Sequence, residues 1–369
     1  MTEVLARHSE AVVVLSPPQR RVLHNLLSCR TEALGGHRYL CPACGYQRIH
    51  YNSCRDRHCP QCQASRRCKW VDGRMERVLQ VGHFQVTVTL PAQLRPLARQ
   101  YPRELYSLLF EVTSGVLQHL AAQRMDARLG ITAVRHTWRR DLGLHPHLHC
   151  IVTAGGLRRD DEKWAQPPGS RFLCPVRILR RLVRSRFLER LDEEVDGLGL
   201  DAEAGKAYAT LRRTLYRKRW VVHIEPPAHR PVGHLVKYLA RYVYGVAISD
   251  QRLVSHVNGE VSFRTRGQRT VTLAGPEFVR RFLLHVLPAG FVKVRHYGLY
   301  APSNVPRRLP IAHRLVAQCD PPARAQPDPG EPDETAEEAT PVVPTCPACG
   351  PTVSLLVFVI HRSRGPPTC

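Results

Sequence analysis

The sequence predicts an α+β fold, an antiparallel sheet with helices packed on it, behind a small cysteine-rich segment. Three observations carry this. Short runs alternate strictly, as Phe84, Val86, Val88 and Leu90 do against Gln85, Thr87 and Thr89, which is the period of a half-buried strand. Longer runs, such as Pro102–Met125, place apolar residues at helical spacing. The order of the two kinds does not follow the regular strand–helix–strand repeat of a parallel sheet.

Taken along the chain, the first helix is expected near Pro18–Leu27, with Ser16 as N-cap and prolines in the first turn. Turns at Gly35-Gly36 and a cysteine cluster follow. His83–Leu90 is a strand and Pro102–Met125 a helix. Ile131–Trp138 and His147–Val152 are two strands joined by a glycine-containing loop, the second ended by Gly155-Gly156. Ile178–Val195 reads as a basic amphipathic helix. Trp220–Ile224 is a strand closed by Pro226-Pro227, and Gly233–Val246 a helix. Val261–Arg264 and Thr270–Leu273 form a hairpin, Pro276–Val286 a helix and Phe291–His296 a last strand. The stretch 319–345 is rich in Pro, Ala, Glu and Asp and is expected to be a disordered linker. The expected organisation is therefore 1–74, cysteine-rich; 75–318, sheet and helices; 319–345, linker; and 346–369, a short tail with cysteines.

The 369 residues carry a formal net charge of +23. The acids are concentrated at the end: residues 320–369 hold seven acids against three arginines, so the body is more basic than the whole. A field of that sign attracts polyanions, chiefly nucleic acid. No apolar run approaches the roughly 20 residues that span a bilayer, and the start lacks a signal-peptide pattern. The expected compartment is reducing, where clustered cysteines hold metal more often than disulfides.

Two CxxC pairs, Cys41/Cys44 and Cys59/Cys62, are separated by 14 residues. That spacing suits a structural zinc site of four thiolates. Cys29, His37, Cys54 and His58 are candidates for a second site. Arg55, Arg57, Arg66 and Arg67 surround these cysteines and are candidate DNA contacts. Cys346 and Cys349 make half a site that His361 and Cys369 could complete; the simpler reading is a vestigial or disordered tail.

His147 and His149 lie two apart in an apolar run, so on a strand both imidazoles face the same way. Such a pair can hold a divalent ion such as Mg²⁺ or Mn²⁺ with a further ligand. Tyr238 and Tyr242 lie four apart, on one helix face. Lys237 and Arg241 flank them, placed to contact phosphate or forming a solvated edge. Taken alone, each pair is better explained by packing. Together they suggest DNA cleavage through a phosphotyrosine, with metal aligning the phosphate for a phenol that is otherwise a poor nucleophile.

Several segments in order, among them Asn52–Gln63 (Asn-Ser-Cys-Arg-Asp-Arg-His-Cys-Pro-Gln-Cys-Gln), His136-Thr137-Trp138, His145–Val152, Glu225-Pro226-Pro227, Lys237–Tyr242 and Val292–Gly298, make the chain resemble the two-tyrosine HUH transposases of the insertion sequence 91 type. The resemblance covers most of residues 20–310. It implies an N-terminal zinc-binding domain and an HUH nuclease domain acting on single-stranded DNA in rolling-circle-type transposition. It further implies His147 and His149 as metal ligands, Tyr238 and Tyr242 as nucleophiles, and a place in the bacterial cytoplasm at the nucleoid. Where relatives often carry Gly-Gln-Asn before the histidine pair, this chain reads Arg139-Arg140-Asp141, so Asp141 is a candidate third metal ligand. The competing readings are a zinc-ribbon nucleic-acid-binding regulator without catalysis and a metal-dependent nuclease that uses water.

Overall fold

A computed structural model describes residues 1–12, 15–62, 64–167, 172–197, 202–227, 245–265, 269–319 and 344–361, and also Gly233, Val236, Ala240, Val243 and Gly267. The expected linker therefore lies almost wholly outside the described residues.

The centre is a five-stranded sheet in the order Val294–Gly298, Gly130–Trp138, Leu144–Thr153, His83–Thr89, Val221–Glu225. Every neighbouring pair is antiparallel. Alternation decides the faces. Phe84, Val86 and Val88, with Leu144, Leu148, Cys150 and Val152, point into the main core. The helices Pro102–Met125 and Val176–Asp196 cover that side. Leu109, Phe110 and Leu117 of the long helix are fully buried, each worth about 1.5–3 kcal/mol of transfer. That helix starts at Pro102, whose missing N–H costs nothing at a first turn. It stops at Asp126, which takes a left-handed conformation, φ 49°, and donates its N–H back to the last turn.

The opposite face carries the complementary set: Thr87 and Thr89, Val134, His136 and Trp138, and His145, His147, His149 and Ile151. Val134 and Ile151 are buried there against Trp70, Val243 and Val294. Val243 therefore lies over the histidine face, and Gly233, Val236 and Ala240 are the other described residues of 233–243. These residues are helical, with Val236 and Ala240 buried.

Residues 1–74 do not stand apart in packing. Val4, Leu5, Val22, Leu26, Cys29 and Cys59 share a core with residues of the 247–286 region. The helix Pro17–Leu27 begins as expected at Ser16, whose N–H donates to the Gln19 side chain at 2.9 Å. The hairpin Glu260–Arg264/Thr270–Ala274 also forms as expected, and Leu253–Val257 adds a third strand that the sequence did not announce. The last sheet strand starts later than expected, at Val294 rather than Phe291. The reason is Arg57, whose guanidinium donates to the carbonyls of Pro288 and Phe291 and holds that stretch in a turn. Among the described residues no helix is long and apolar enough to cross a membrane.

Candidate active site and metal centres

His147 and His149 follow one another on the half-buried face of the central strand opposite the main core, and register brings in a third imidazole. His136 on the neighbouring strand pairs directly with His147. The rings of His147 and His149 are 4.8 Å apart, and His136 lies 5.5 and 5.3 Å from them. One ring nitrogen from each falls within 4.8 Å of the others, so the three could hold a metal ion. The chemistry of the donors fits a divalent cation. The His147 Nδ1–H donates to the His145 carbonyl at 2.6 Å, which puts the lone pair on Nε2. Thr87 Oγ1 lies 3.3 Å from His149 Nδ1. Burial pushes His147 down to about 4, and burial with the neighbouring His147 pushes His149 down to about 3. Both rings are thus neutral at pH 7 and available as ligands.

Asp141 lies outside the three-histidine group. It sits in the hairpin turn, where one carboxylate oxygen accepts the Gly143 N–H at 3.0 Å and the other pairs with Arg139 at 2.9 Å. His136 was missed because nothing in its spacing marks it. The available signal was the hairpin itself: pairing the two strands back from the Arg139–Gly143 turn sets His136 opposite His147.

Beside the histidines, at the end of the sheet, is a cavity of about 330 Å³. Trp138 joins the two, stacking on His136 at 4.3 Å and facing the Lys293 amine at 5.2 Å. Arg57, Arg135 and Lys293 line the cavity with Trp70 and Val243, and no carboxylate is among its described lining residues. Arg135 is 1% exposed and lies over Tyr106 and Phe291, with Nε and Nη1 lacking partners among the described residues. Lys293 donates to the Gly245 carbonyl at 2.9 Å. Burial, then repulsion from Arg135 and Arg57, pushes its amine down to about 7. Two guanidiniums and a partly protonated amine, with no acid among the described lining residues, make a positive pocket that suits phosphate.

Tyr238, Tyr242, Lys237 and Arg241 lie outside the described residues, as do the side chains of Arg66 and Arg67 on the helix Ala64–Met75. Arg55 is exposed, as a DNA contact requires. Arg57 instead spends its guanidinium on Pro288 and Phe291 and lines the cavity.

The cysteines group differently from the expectation. Cys59 and Cys62 join Cys29 and Cys54, not Cys41 and Cys44. The Sγ distances are 3.5 Å for Cys29–Cys62, 3.7 Å for Cys29–Cys59 and 3.7 Å for Cys54–Cys62. Zn–S bonds of about 2.3 Å set tetrahedral sulfurs about 3.8 Å apart, so the four fit zinc. The Cys54 and Asp56 amides donate to Cys29 and Cys54 sulfurs at 3.5 Å, a pattern that favours thiolate. Neither histidine proposed for a second site takes part. His58 donates Nδ1–H to Asp56 at 2.9 Å and accepts the Leu287 N–H on Nε2 at 3.3 Å, so both nitrogens are used. Burial opposes ionisation of Asp56, yet hydrogen bonds from His58 and Asn25 hold its carboxyl down to about 2. His37 stands on the strand Gly36–Leu40, opposite His50. Cys41 and Cys44 meet Cys346 and Cys349 instead, so the described part of the tail packs on the N-terminal segment; Cys369 lies outside the described residues, and His361 is exposed and belongs to neither thiol group.

Comparison with known proteins agrees with these features. A family model described as a transposase zinc-binding domain matches residues 3–90, and one described as a putative transposase matches residues 130–308. The chain is 38% identical over 390 residues to a putative transposase of Sinorhizobium fredii, covering 100% of this chain and 97% of that one. It is 28% identical over 318 residues to the transposase for insertion sequence element IS801 of Pseudomonas savastanoi pv. phaseolicola, covering 80% of this chain and 73% of the relative. No solved structure matches it. With a zinc-fitting thiol cluster in its first segment and a histidine centre within the transposase match, the chain belongs to the insertion sequence 91-type transposases, enzymes that act on DNA, with an N-terminal zinc-binding domain.

Proposed function

We propose that this transposase cleaves and rejoins single-stranded DNA at the ends of its element through a 5′-phosphotyrosine intermediate, in rolling-circle-type transposition. The observation that carries this reading is the convergence of His136, His147 and His149 at one point on the sheet face over which Val243, next to Tyr242 in sequence, is packed. Mg²⁺ or Mn²⁺ bound by the three imidazoles would polarise the scissile phosphate and offset the charge that develops on it. The phenol oxygen of Tyr238 or Tyr242 attacks phosphorus, the P–O3′ bond breaks, and the upstream strand leaves with a 3′-hydroxyl. The phosphotyrosine keeps the energy of the broken diester, so a 3′-hydroxyl can reverse the step without ATP. Two tyrosines allow one to hold a strand end while the other attacks the next junction. Arg135 and Lys293, beside Arg57 in the cavity, would hold a neighbouring phosphate, and binding should weaken steeply with salt. Exposed arginines of the zinc module, Arg55 among them, would engage a hairpin at the element end.

The test uses oligonucleotides spanning an element end, labelled at the 5′ or the 3′ terminus and incubated with the protein and Mn²⁺. The 3′-labelled strand should become covalently attached to protein, while the 5′-labelled piece is released free. Cleavage of both without an adduct would make this a water-using nuclease. Binding with no cleavage would make it a non-catalytic DNA-binding protein.

A further inference from the structure

The pentapeptide Cys41-Pro42-Ala43-Cys44-Gly45 recurs without change as Cys346-Pro347-Ala348-Cys349-Gly350, at the other end of the chain. The fold brings the two copies together. Cys41 Sγ lies 3.9 Å from Cys349 Sγ, and Cys44 Sγ lies 3.6 Å from Cys346 Sγ. All four sulfurs are within 4.8 Å of one another. These are the separations that tetrahedral zinc with bonds of about 2.3 Å requires. The glycine closing each copy takes a positive φ, 70° at Gly45 and 87° at Gly350, which lets the chain double back after the second cysteine. The turns are hydrogen-bonded: Gly45 N–H donates to the Cys41 carbonyl at 3.0 Å, and Cys349 N–H to the Cys346 sulfur at 3.4 Å.

A second observation does not involve sulfur. The strand Leu356–Ile360 pairs antiparallel with Gly36–Leu40 over five residues, from Gly36 opposite Ile360 to Leu40 opposite Leu356. With Gln47–Tyr51 it completes a three-stranded sheet beside the thiols. Cys41 and Cys346 are each 1% exposed, packed with Leu355, Tyr39, Tyr46 and Val353. The tail thus has both its ligands and its backbone pairing in the N-terminal module.

We propose that Cys41, Cys44, Cys346 and Cys349 bind a second structural zinc ion, a two-knuckle ribbon split between the ends of the chain. The zinc clasps the tail to the N-terminal module and closes residues 45–345 into a loop. Each thiol gives up its proton on binding, so four thiolates face one divalent ion and no oxidant is needed. The site is independent of DNA cleavage.

Zinc content of the full-length protein, measured by native mass spectrometry, tests this. The wild type should hold two zinc ions. Cys346→Ser with Cys349→Ser should hold one, as should Cys41→Ser with Cys44→Ser. Combining all four substitutions should still leave one, because both pairs empty the same site. A wild type with one zinc, a tail variant that keeps two, or a fourfold variant with none would overturn the proposal. A second measurement does not depend on cysteine variants. A protease site inserted within 320–343 of the full chain lets the linker be cut after folding. The fragments should co-elute with zinc and separate after chelation; separation with zinc present, or co-elution after zinc is removed, would overturn the clasp.

Discussion

His136, His147 and His149 stand on two neighbouring strands of one sheet, whereas the eight clustered cysteines come from short segments near both ends of the chain. In the first case the ladder hydrogen bonds of the backbone place the imidazoles, and core residues on the reverse face hold the ladder in register. In the second case the segments that carry the thiols are short, and the sulfurs crowd one another. Burial and the adjacent thiols Cys29 and Cys62 push Cys54 up to about 12, opposed only in part by the Asp56 amide. Four such thiols are a poor arrangement until a divalent ion deprotonates them. On the proposed function, the difference separates a catalytic ion from a structural one. Losing the ion at the histidines should cost chemistry and leave the fold; losing it at the cysteines should cost the fold.

The largest effect expected from this contrast is at Cys59, buried where the N-terminal module shares its core with the 247–286 region. Zinc in a four-thiolate site contributes on the order of 10 kcal/mol, comparable to the whole stability of a domain. Cys59→Ser should therefore release that zinc and remove hydrogen-exchange protection across residues 17–62. Retained protection would mean that the thiols pack well enough without metal.

Next comes His136→Ala. It should weaken Mn²⁺ binding, measured by calorimetry, by at least roughly 100-fold, the upper end of what outer-shell partners cost, with little change in Tm. Asp141→Ala is the control and should leave the affinity unaltered. The reverse result would move the third ligand into the hairpin turn.

The smallest expected effect is at Lys293, and its sign follows from the lowered amine. Folded, Lys293 loses its proton near pH 7; unfolded, near 10.5. Between those values the unfolded chain binds more protons, so stability rises with pH across this window. Lys293→Met removes the cost of the buried amine. It should raise Tm at pH 6–7 by on the order of 5 °C, and the gain should shrink towards pH 10. A gain that does not depend on pH would show that the amine is not the strained group.

The sheet was legible because its strands alternate and one face is a core. Phe84, Val86 and Val88 announce their strand, and His147 and His149 share a face for the same reason. The place of His136 beside the pair was not legible, because it depends on which residue the hairpin sets opposite His147. The cysteine grouping was misjudged because spacing along the chain favours the nearest CxxC, while Cys41 and Cys44 are completed from the far end of the sequence. The repeated Cys-Pro-Ala-Cys-Gly was the signal that could have corrected it. The late start of the strand Val294–Gly298 was hidden for a similar reason: the Arg57 side chain that holds the preceding turn comes from the zinc module.

The most direct test of the central claim is the site of DNA attachment. Wild-type protein, Mn²⁺ and a single-stranded oligonucleotide from the element end are combined, the adduct is digested, and the DNA-linked peptide is identified by mass spectrometry. The linked peptide should contain Tyr238 or Tyr242, and the double substitution Tyr238→Phe, Tyr242→Phe should abolish the adduct while Mn²⁺ binding persists. An adduct on another residue, or one that survives the double substitution, would contradict the account.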